Sequence, residues 1–303
     1  VSTQYNVAPG YVQVPYPPFL PSRVSILNAV EVINDPNLRW EGGYFYTSGI
    51  NPGWTGNFPI AFCDGTNASG LNECHVTTVQ PFLSSVAQTT SAFNKNSEDL
   101  YTRTRESLLA NESWVVEYML MYGGTLGIDM PYVTNPANYF DFVTGGFVSP
   151  LDALAKLESN FLGANTGVRY TILADMRTIV HLLRHQVIRR EGNVFLSPLD
   201  NVIAPMALGV LPTPAGETPP TADQTFMYAV SGIQVRRSEL IMLPEPVPAT
   251  PDNPFGYPSS AIDRLTNSVT VYTQRIYGIS FTTYGDGSGT SIPVLYAGVD
   301  FTL

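Results

Sequence analysis

The stretch Asn96 to Gly124, NSEDLYTRTRESLLANESWVVEYMLMYGG, constrains this chain more than any other, because it reads as one uninterrupted long helix. Asn96 or Ser97 offers a side-chain oxygen to backbone donors that have no partner inside the helix, and Glu98 and Asp99 suit the positive end of its dipole. Tyr101, Leu108, Val115, Met119 and Tyr122 fall on one side, with Leu109, Val116 and Leu120 beside them; Arg103, Glu106 and Glu117 are expected to turn away. Gly123 and Gly124 supply the left-handed conformation that closes a helix, giving about 26 residues and about 40 Å at 1.5 Å per residue. A helix of that length is a spine along which other elements are laid.

A chain of 303 residues, 44% of them hydrophobic, can bury a real core as one large domain or two of ordinary size. Glycine and proline supply 25 residues each and charged residues only 13%, which implies long, irregular, tightly covered segments. The net charge of −10 argues against a nucleic-acid reader, since phosphate binding needs clustered Lys and Arg. The basic residues are 13 Arg and only two Lys, Lys95 and Lys156. No apolar run approaches the ~20 residues of a membrane span, and VSTQYNVAPG lacks the basic start and apolar core of an export signal, so a soluble, non-exported chain is expected. Val at position 1 fits removal of an initiator residue, and equally a longer cleaved precursor.

Along the chain, residues 1 to 38 carry six prolines around VPYPPFLP and read as an extended arm. Tyr5, Tyr11, Tyr16, Phe19 and Leu20 cannot build a core there, so the arm must lie along another surface, for which a neighbouring subunit is a candidate. WEGGYFYTSGI from Trp40 and VTTVQPFLSSV from Val76 read as strands of a long hairpin with an elaborate Gly, Asn, Pro and Cys tip. After the spine helix, PYVT and YFDFVTGGFV are strand-like. Ser149 and Asp152 form a capping box before a second helix that buries Leu151, Leu154, Leu157 and Phe161 and ends at Gly163. Val168 to Leu173 is a strand. A third helix follows with Met176, Ile179, Val180, Leu183 and Val187 inward and Arg177, His181, Arg184 and His185 outward. Residues 200 to 223 and 244 to 257 are Pro-rich connections, and TFMYAVSGIQVRRSELIML gives strands interrupted at Gly232. SVTVYTQRIYGISFTTY alternates, with Val269, Val271, Thr273, Arg275 and Tyr277 on one side, and IPVLYAGVDF is a last strand.

Little in the sequence supports catalysis. His181 and His185 form HLLRH without the glutamate or third ligand of a zinc hydrolase, and a solvated helix face is the better reading. There is no G-x-S-x-G, phosphate-loop lysine or dinucleotide fingerprint, and GDGSGT lies between strands where glycines serve a turn. Asp129, Asp141 and Asp152 sit near turns and caps. Cys63 and Cys74 share one loop, CDGTNASGLNEC; with His75 they fall short of a four-ligand zinc set, which leaves reduced thiols or one late-formed bridge. No enzyme activity, cofactor or metal is expected.

The order of these pieces resembles the tailed-phage major capsid proteins of the Hong Kong 97-like fold, an α+β fold. The residues that carry the resemblance are PFLSSVAQTTSAF leading into YTRTRESLLANESWVVEYMLMYGG, then VRYTILADMRTIVHLLRHQVI, TFMYAVSGIQVRRSE and SVTVYTQRIYGISF, which are similar in order to segments of actinobacterial phage capsid proteins. The resemblance implies an N-arm (1–38), an E-loop hairpin (39–93), a peripheral domain with the spine helix (94–148), an axial α/β domain (149–244), a return to the peripheral domain (245–285) and a C-terminal axial strand (286–303). Residues 200 to 223 would lie towards the capsomer centre.

It further implies a virion capsid subunit, assembled in the host bacterial cytoplasm as hexamers and pentamers into an icosahedral shell. That shell encloses double-stranded DNA, touched non-specifically by an acidic inner wall. Expected partners are other copies of the chain, a separate scaffolding protein, a portal and a decoration protein, with no membrane. Some relatives weld subunits through an E-loop lysine; residues 39 to 93 contain none, so non-covalent closure is expected. Arg177, Arg184, Arg189 and Arg190, read as one side of the third helix, are candidates for ion pairs with a neighbouring subunit, against a plain solvated face or DNA contact. Two other readings are an encapsulin-type bacterial compartment, which shares the fold, and a carbohydrate-binding β protein, suggested by Tyr, Asn and Gly content.

Overall fold

The computed structural model describes residues 25–36, 40, 44–48, 75–91, 97–123, 132–135, 140–163, 170–209, 211–214, 216–248, 250, 257–258, 262–282 and 294–303. A single 3-10 turn, Ile26–Asn28, precedes β1 (Glu31–Asn34), β2 (Tyr44–Ser48), β3 (His75–Val79), β4 (Phe82–Ser91) and the spine helix α1 (Ser97–Tyr122). Then come β5 (Phe140–Val148), α2 (Pro150–Gly163), β6 (Tyr170–Asp175), α3 (Met176–Arg184), β7 (Arg189–Glu191), β8 (Val194–Leu196) and β9 (Val202–Met206). The chain closes with β10 (Gln224–Arg237), β11 (Ile241–Leu243), β12 (Ile262–Asp263), β13 (Ser268–Thr282) and β14 (Val294–Asp300).

The fourteen-residue β10 is the trunk of a twelve-stranded mixed sheet. Its first half pairs with β14 and β6, its second half with β13 and, in parallel, with β1. The register shifts between Ser231 and Gln234, where Gly232 has φ +60°, so the glycine marks a bulge in one continuous strand rather than the break read from the sequence. Through the first half the pleat feeds two cores. Phe226, Tyr228 and Val230 face one side with Leu173, Tyr296 and the C-terminal half of α1; Met227 and Ala229 face the other with Ile172, Leu295, α2 and α3. A strand covered on both faces has no reason to alternate, which explains the near-continuous apolar runs TFMYAV, TILA and VLYAGV.

α1 lies along the odd-numbered face of β13. Val269 and Val271 meet Leu100 and Tyr101 near its start, Tyr277, Ile279 and Phe281 meet Val116, Leu120 and Met121 near its end, and Thr104 and Thr273 are fully buried. The Thr104 hydroxyl donates back to the Leu100 carbonyl at 2.7 Å, which satisfies it inside this seam. β4 flanks β13 over ten paired residues, from Ser268 with Ser91 to Tyr277 with Phe82.

The expected helix is present, closed by Gly123 at φ +67°, but its edges differ in detail. Tyr122 is exposed and Glu117 is buried, the reverse of the sequence reading. The Ser149 capping box forms, with Asp152 N–H donating to Ser149 Oγ at 3.2 Å and the hydroxyl donating to Asp152 Oδ2 at 2.8 Å. Leu154 and Leu157 are buried, whereas Leu151, in the first turn of α2, is exposed. α3 is rotated from the expected face: Ile179 and Leu182 go inward while Met176 and Val180 are exposed, because the Asp175 cap aims the first turn by accepting from Thr178 N–H at 2.7 Å. α3 ends at Arg184, so Val187, Arg189 and Arg190 lie beyond it. Tyr132–Asn135 is a turn hung on α1 through Val133 N–H to the Leu120 carbonyl, and the 200–223 connection contains β9, a buried strand parallel to β6. Residues 25–36 of the expected arm sit on the chain's own sheet, Ile26 fully buried and β1 beside β10.

A Cβ at Gly123 would fall 2.5 Å from the Tyr132 ring, while at Gly145, with φ +64°, it would meet nothing within 4 Å. Gly145→Ala is therefore expected to cost only the left-handed backbone penalty, about 1 kcal/mol, and Gly123→Ala about 2 kcal/mol or more. Urea unfolding of both variants checks the difference, and equal losses would contradict the contact.

Candidate functional site

Glu112 is the midpoint of the α1 seat. It stands four residues after Leu108 and four before Val116, inside the apolar stripe, and is buried with them. Its Oε1 accepts from Arg237 Nη1 at 2.9 Å, from Arg275 Nη1 at 2.9 Å and from the Tyr277 hydroxyl at 3.1 Å. Arg237 comes from β10 and the other two from β13, so one carboxylate ties the helix to both long strands. Arg237 Nε also donates to Asn34 Oδ1 at 2.6 Å, and Arg236 pairs with Asp35, extending the network to β1. Burial and then the Glu112 charge push the Tyr277 phenol well above its ordinary range, so the ring stays a neutral donor.

Glu117 makes a second joint. It accepts from Ala207 N–H at 2.5 Å and from the Ser113 hydroxyl at 3.0 Å, and the backbone N–H groups of Leu208 and Ile26 also point to it. These groups come from the connection after β9 and from the base of the arm. Burial dominates and raises its carboxyl above the usual range despite the four donors.

β2 and β3 form the stem of the expected hairpin, five residues a side, from Tyr44 opposite Val79 to Ser48 opposite His75. The tip, with Cys63 and Cys74, and also Lys95, lie outside the described residues.

The four candidate arginines are spread over α3 and β7. Arg177 Nη2 pairs with Asp223 at 2.9 Å and its guanidinium stacks 4.0 Å over Phe301; Arg189 pairs with Glu191 at 2.9 Å and Asp200 at 2.5 Å. Arg190 Nε donates to the Gly192 carbonyl at 2.9 Å, and Arg184 is exposed on α3. The His181 and His185 rings lie 4.6 Å apart and tilted to each other, and partial burial, then His185, Arg184 and Arg177, lower the His181 pKa. Among the described residues no group of His, Cys, Asp and Glu could hold a metal ion, and no helix is long and apolar enough to cross a membrane.

Removing one member of a buried ion cluster leaves uncompensated charge. Glu112→Ala is expected to cost about 3–5 kcal/mol and Tyr277→Phe about 1 kcal/mol, read by urea unfolding. A Glu112→Ala loss below that of Tyr277→Phe would contradict the joint. At Glu117 the sign is the opposite of an ordinary salt-bridged acid. Its folded pKa is raised, so the folded state holds the proton more tightly than the unfolded one, whose value is about 4.3. Stability of the wild type relative to Glu117→Gln is therefore expected to be greatest in acid and to fall as pH rises through that window. Unfolding curves at stepped pH measure it, and a flat difference would contradict the burial.

No family model and no curated protein matches the chain. Solved structures do. The capsid of a native GTA particle aligns over 98% of this chain and 96% of its own, at 11% identity and TM-score 0.53. The capsid of an empty GTA particle aligns over the same shares at 11% identity and TM-score 0.52. A structure from Microbacterium phage Oxtober96 covers 97% of this chain and 96% of its own at 11% identity and TM-score 0.52. At such identity the likeness is one of fold, and it runs nearly end to end through the spine helix, the hairpin stem and the two-sided sheet: the chain has the Hong Kong 97-like capsid fold.

Proposed function

We propose that this chain is a major capsid protein. In this reading it self-assembles as hexamers and pentamers into an icosahedral shell around packaged double-stranded DNA, as a virion component built in the host cytoplasm. The observation that carries the reading is the alignment with GTA capsid structures and a Microbacterium phage structure over at least 96% of both chains. A separate scaffolding protein, a portal and a decoration protein complete the expected set of partners. Its role is structural rather than catalytic.

The division into arm (1–38), E-loop (39–93), peripheral domain (94–148 and 245–285) and axial domain (149–244 and 286–303) assigns each part a task. The hairpin built on β2 and β3 reaches over a neighbour, the α1 and β13 seam is the stiff lobe beneath it, and residues 200–223 lie towards the capsomer centre. Two features support a DNA-tolerant but not DNA-gripping wall: the net charge of −10, and the engagement of Arg177, Arg189, Arg236, Arg237 and Arg275 with carboxylates of their own chain. Arg184, exposed on α3, is the strongest of the four arginines for a carboxylate across a subunit boundary, with Arg177, Arg189 and Arg190 as further candidates. Closure is non-covalent in this reading. Apolar burial at about 25 cal/mol per Å², repeated over every subunit, supplies the holding energy, and a Cys63–Cys74 bridge adds to it outside a reducing cytoplasm.

Negative-stain images of the purified protein are expected to show large angular shells. Small uniform shells holding protein cargo would point to an encapsulin-type compartment instead, and absence of particles would contradict assembly. Boiled with detergent and reductant, the particles are expected to release one band near 33.1 kDa. A reductant-resistant ladder would contradict non-covalent closure.

A further inference from the structure

The face of β13 turned away from α1 is open. β4 and β11 flank β13 as antiparallel partners, and the register sets side chains in rows across the three strands: Ala87, Tyr272 and Leu243 in one, Ser85, Gln274 and Ile241 in the next. Ala87 and Ser85 are exposed, Tyr272 is 41% exposed and Leu243 44%. Leu83, 54% exposed, and Thr89 continue the face along β4, opposite Ile276 and Thr270.

No charged side chain stands in these rows. A sheet with one face packed and the other in water carries polar and charged residues outward, and at the usual share of 25–35% about two or three would be expected in a patch of this size. Charge stands at its ends instead. Glu239 and Glu245 bracket β11, and Asp263 and Arg264 lead into the turn before β13, all exposed. The polar groups inside the face also turn to one another: Gln274 Nε2 donates to Ser85 Oγ at 3.3 Å, and the Thr89 and Thr270 hydroxyls bond at 2.8 Å. Polar groups already paired lose less when water is withdrawn. An uncharged centre with a charged rim is the composition of a protein interface.

The chemistry of the face narrows its occupant. Nucleic acid needs cations, which the rows lack, and a lipid surface needs a continuous apolar face, which Ser85, Thr89 and Gln274 interrupt. Every copy of this chain carries a net charge of −10, so a second copy meets it at least electrostatic cost where no charge is presented. Size points the same way. The rows run about 20 Å along β4 and about 10 Å between the outer strands, or roughly 400 Å² with side chains, half of the ~800 Å² that a free-standing pair covers on each partner. A contact this small holds when it is repeated around a closed assembly, where each subunit is also held by others.

We infer, resting on the capsid reading above, that the open face of β4, β13 and β11 is a subunit contact covered by a second copy of this chain.

Thiol labelling tests it on particles of this chain alone. In a Cys63→Ser and Cys74→Ser background, Ala87→Cys is expected to react rapidly with a maleimide in the dispersed chain and at least about tenfold more slowly in sedimented particles. Equal rates in the two forms would overturn the inference and leave the shell itself standing. A slow rate already in the dispersed chain would give the face to a segment of the same chain, and protection that needs a different protein would give it to that protein; either result also overturns the inference. Absence of particles would overturn both this inference and the capsid reading. Ala87→Glu gives a second readout. Because Ala87 is exposed, the urea midpoint is expected to stay at its wild-type value while particle yield falls at least about tenfold. Wild-type yield from that variant would overturn the inference, and the labelling result decides the matter if the variant fails to fold.

Discussion

Glu112 Oε1 is shared by two guanidiniums from different strands and by one phenol, all within 3.1 Å, and this is the point on which the geometry of the chain depends. A long helix laid on a strand can slide or roll if only apolar contacts hold it, because such contacts are non-directional. Three convergent donors on one oxygen fix both the register and the roll. The apolar contacts on either side, Leu100 and Tyr101 with Val269 and Val271, and Val116 to Met121 with Tyr277 to Phe281, then supply most of the energy. The polar joint supplies the position, and it reaches the arm base through Arg237 and Asn34.

The same arrangement explains how one chain makes a stiff body with extensions. β10 carries two cores on its two faces before the Gly232 bulge and the α1 seam after it, so helices on opposite sides of the sheet are coupled through a single strand. The β2 and β3 stem and the arm base leave this body from α1 and β13 rather than from a separate domain.

Much of this was legible in the sequence, for physical reasons that differ by element. α1 was clear because its caps, stripe and closing glycine agree, and β13 because only one of its faces meets a helix. The faces of α2 and α3 were misread at Leu151, Met176 and Val180 because a short helix covering one face of a sheet leaves apolar side chains on its outer side, and a cap such as Asp175 rather than the pattern sets the rotation. β9 was hidden inside a Pro-rich stretch because it carries Pro205, which has no N–H to donate and sits past Val202 and Ile203, where the pairing with β8 lies. Glu117 was misread because a carboxylate was assumed to face water, and Glu112 was not singled out. The signal was there at Glu112, whose neighbours one turn away on either side are Leu108 and Val116. Apart from Ser113, the donors to both carboxylates lie 90 or more residues away in the chain, among them Ala207, Arg237 and Arg275, which no local pattern reveals.

A reconstruction of the assembled particle at side-chain resolution tests the central claim most directly, since it shows the body and its extensions together. The expected result is an α1 and β13 seam with the Glu112 joint intact in every subunit, and the β2 and β3 hairpin lying over an adjacent subunit. A hairpin folded back on its own subunit, or an α1 detached from Arg237 and Arg275 in the shell, would contradict it.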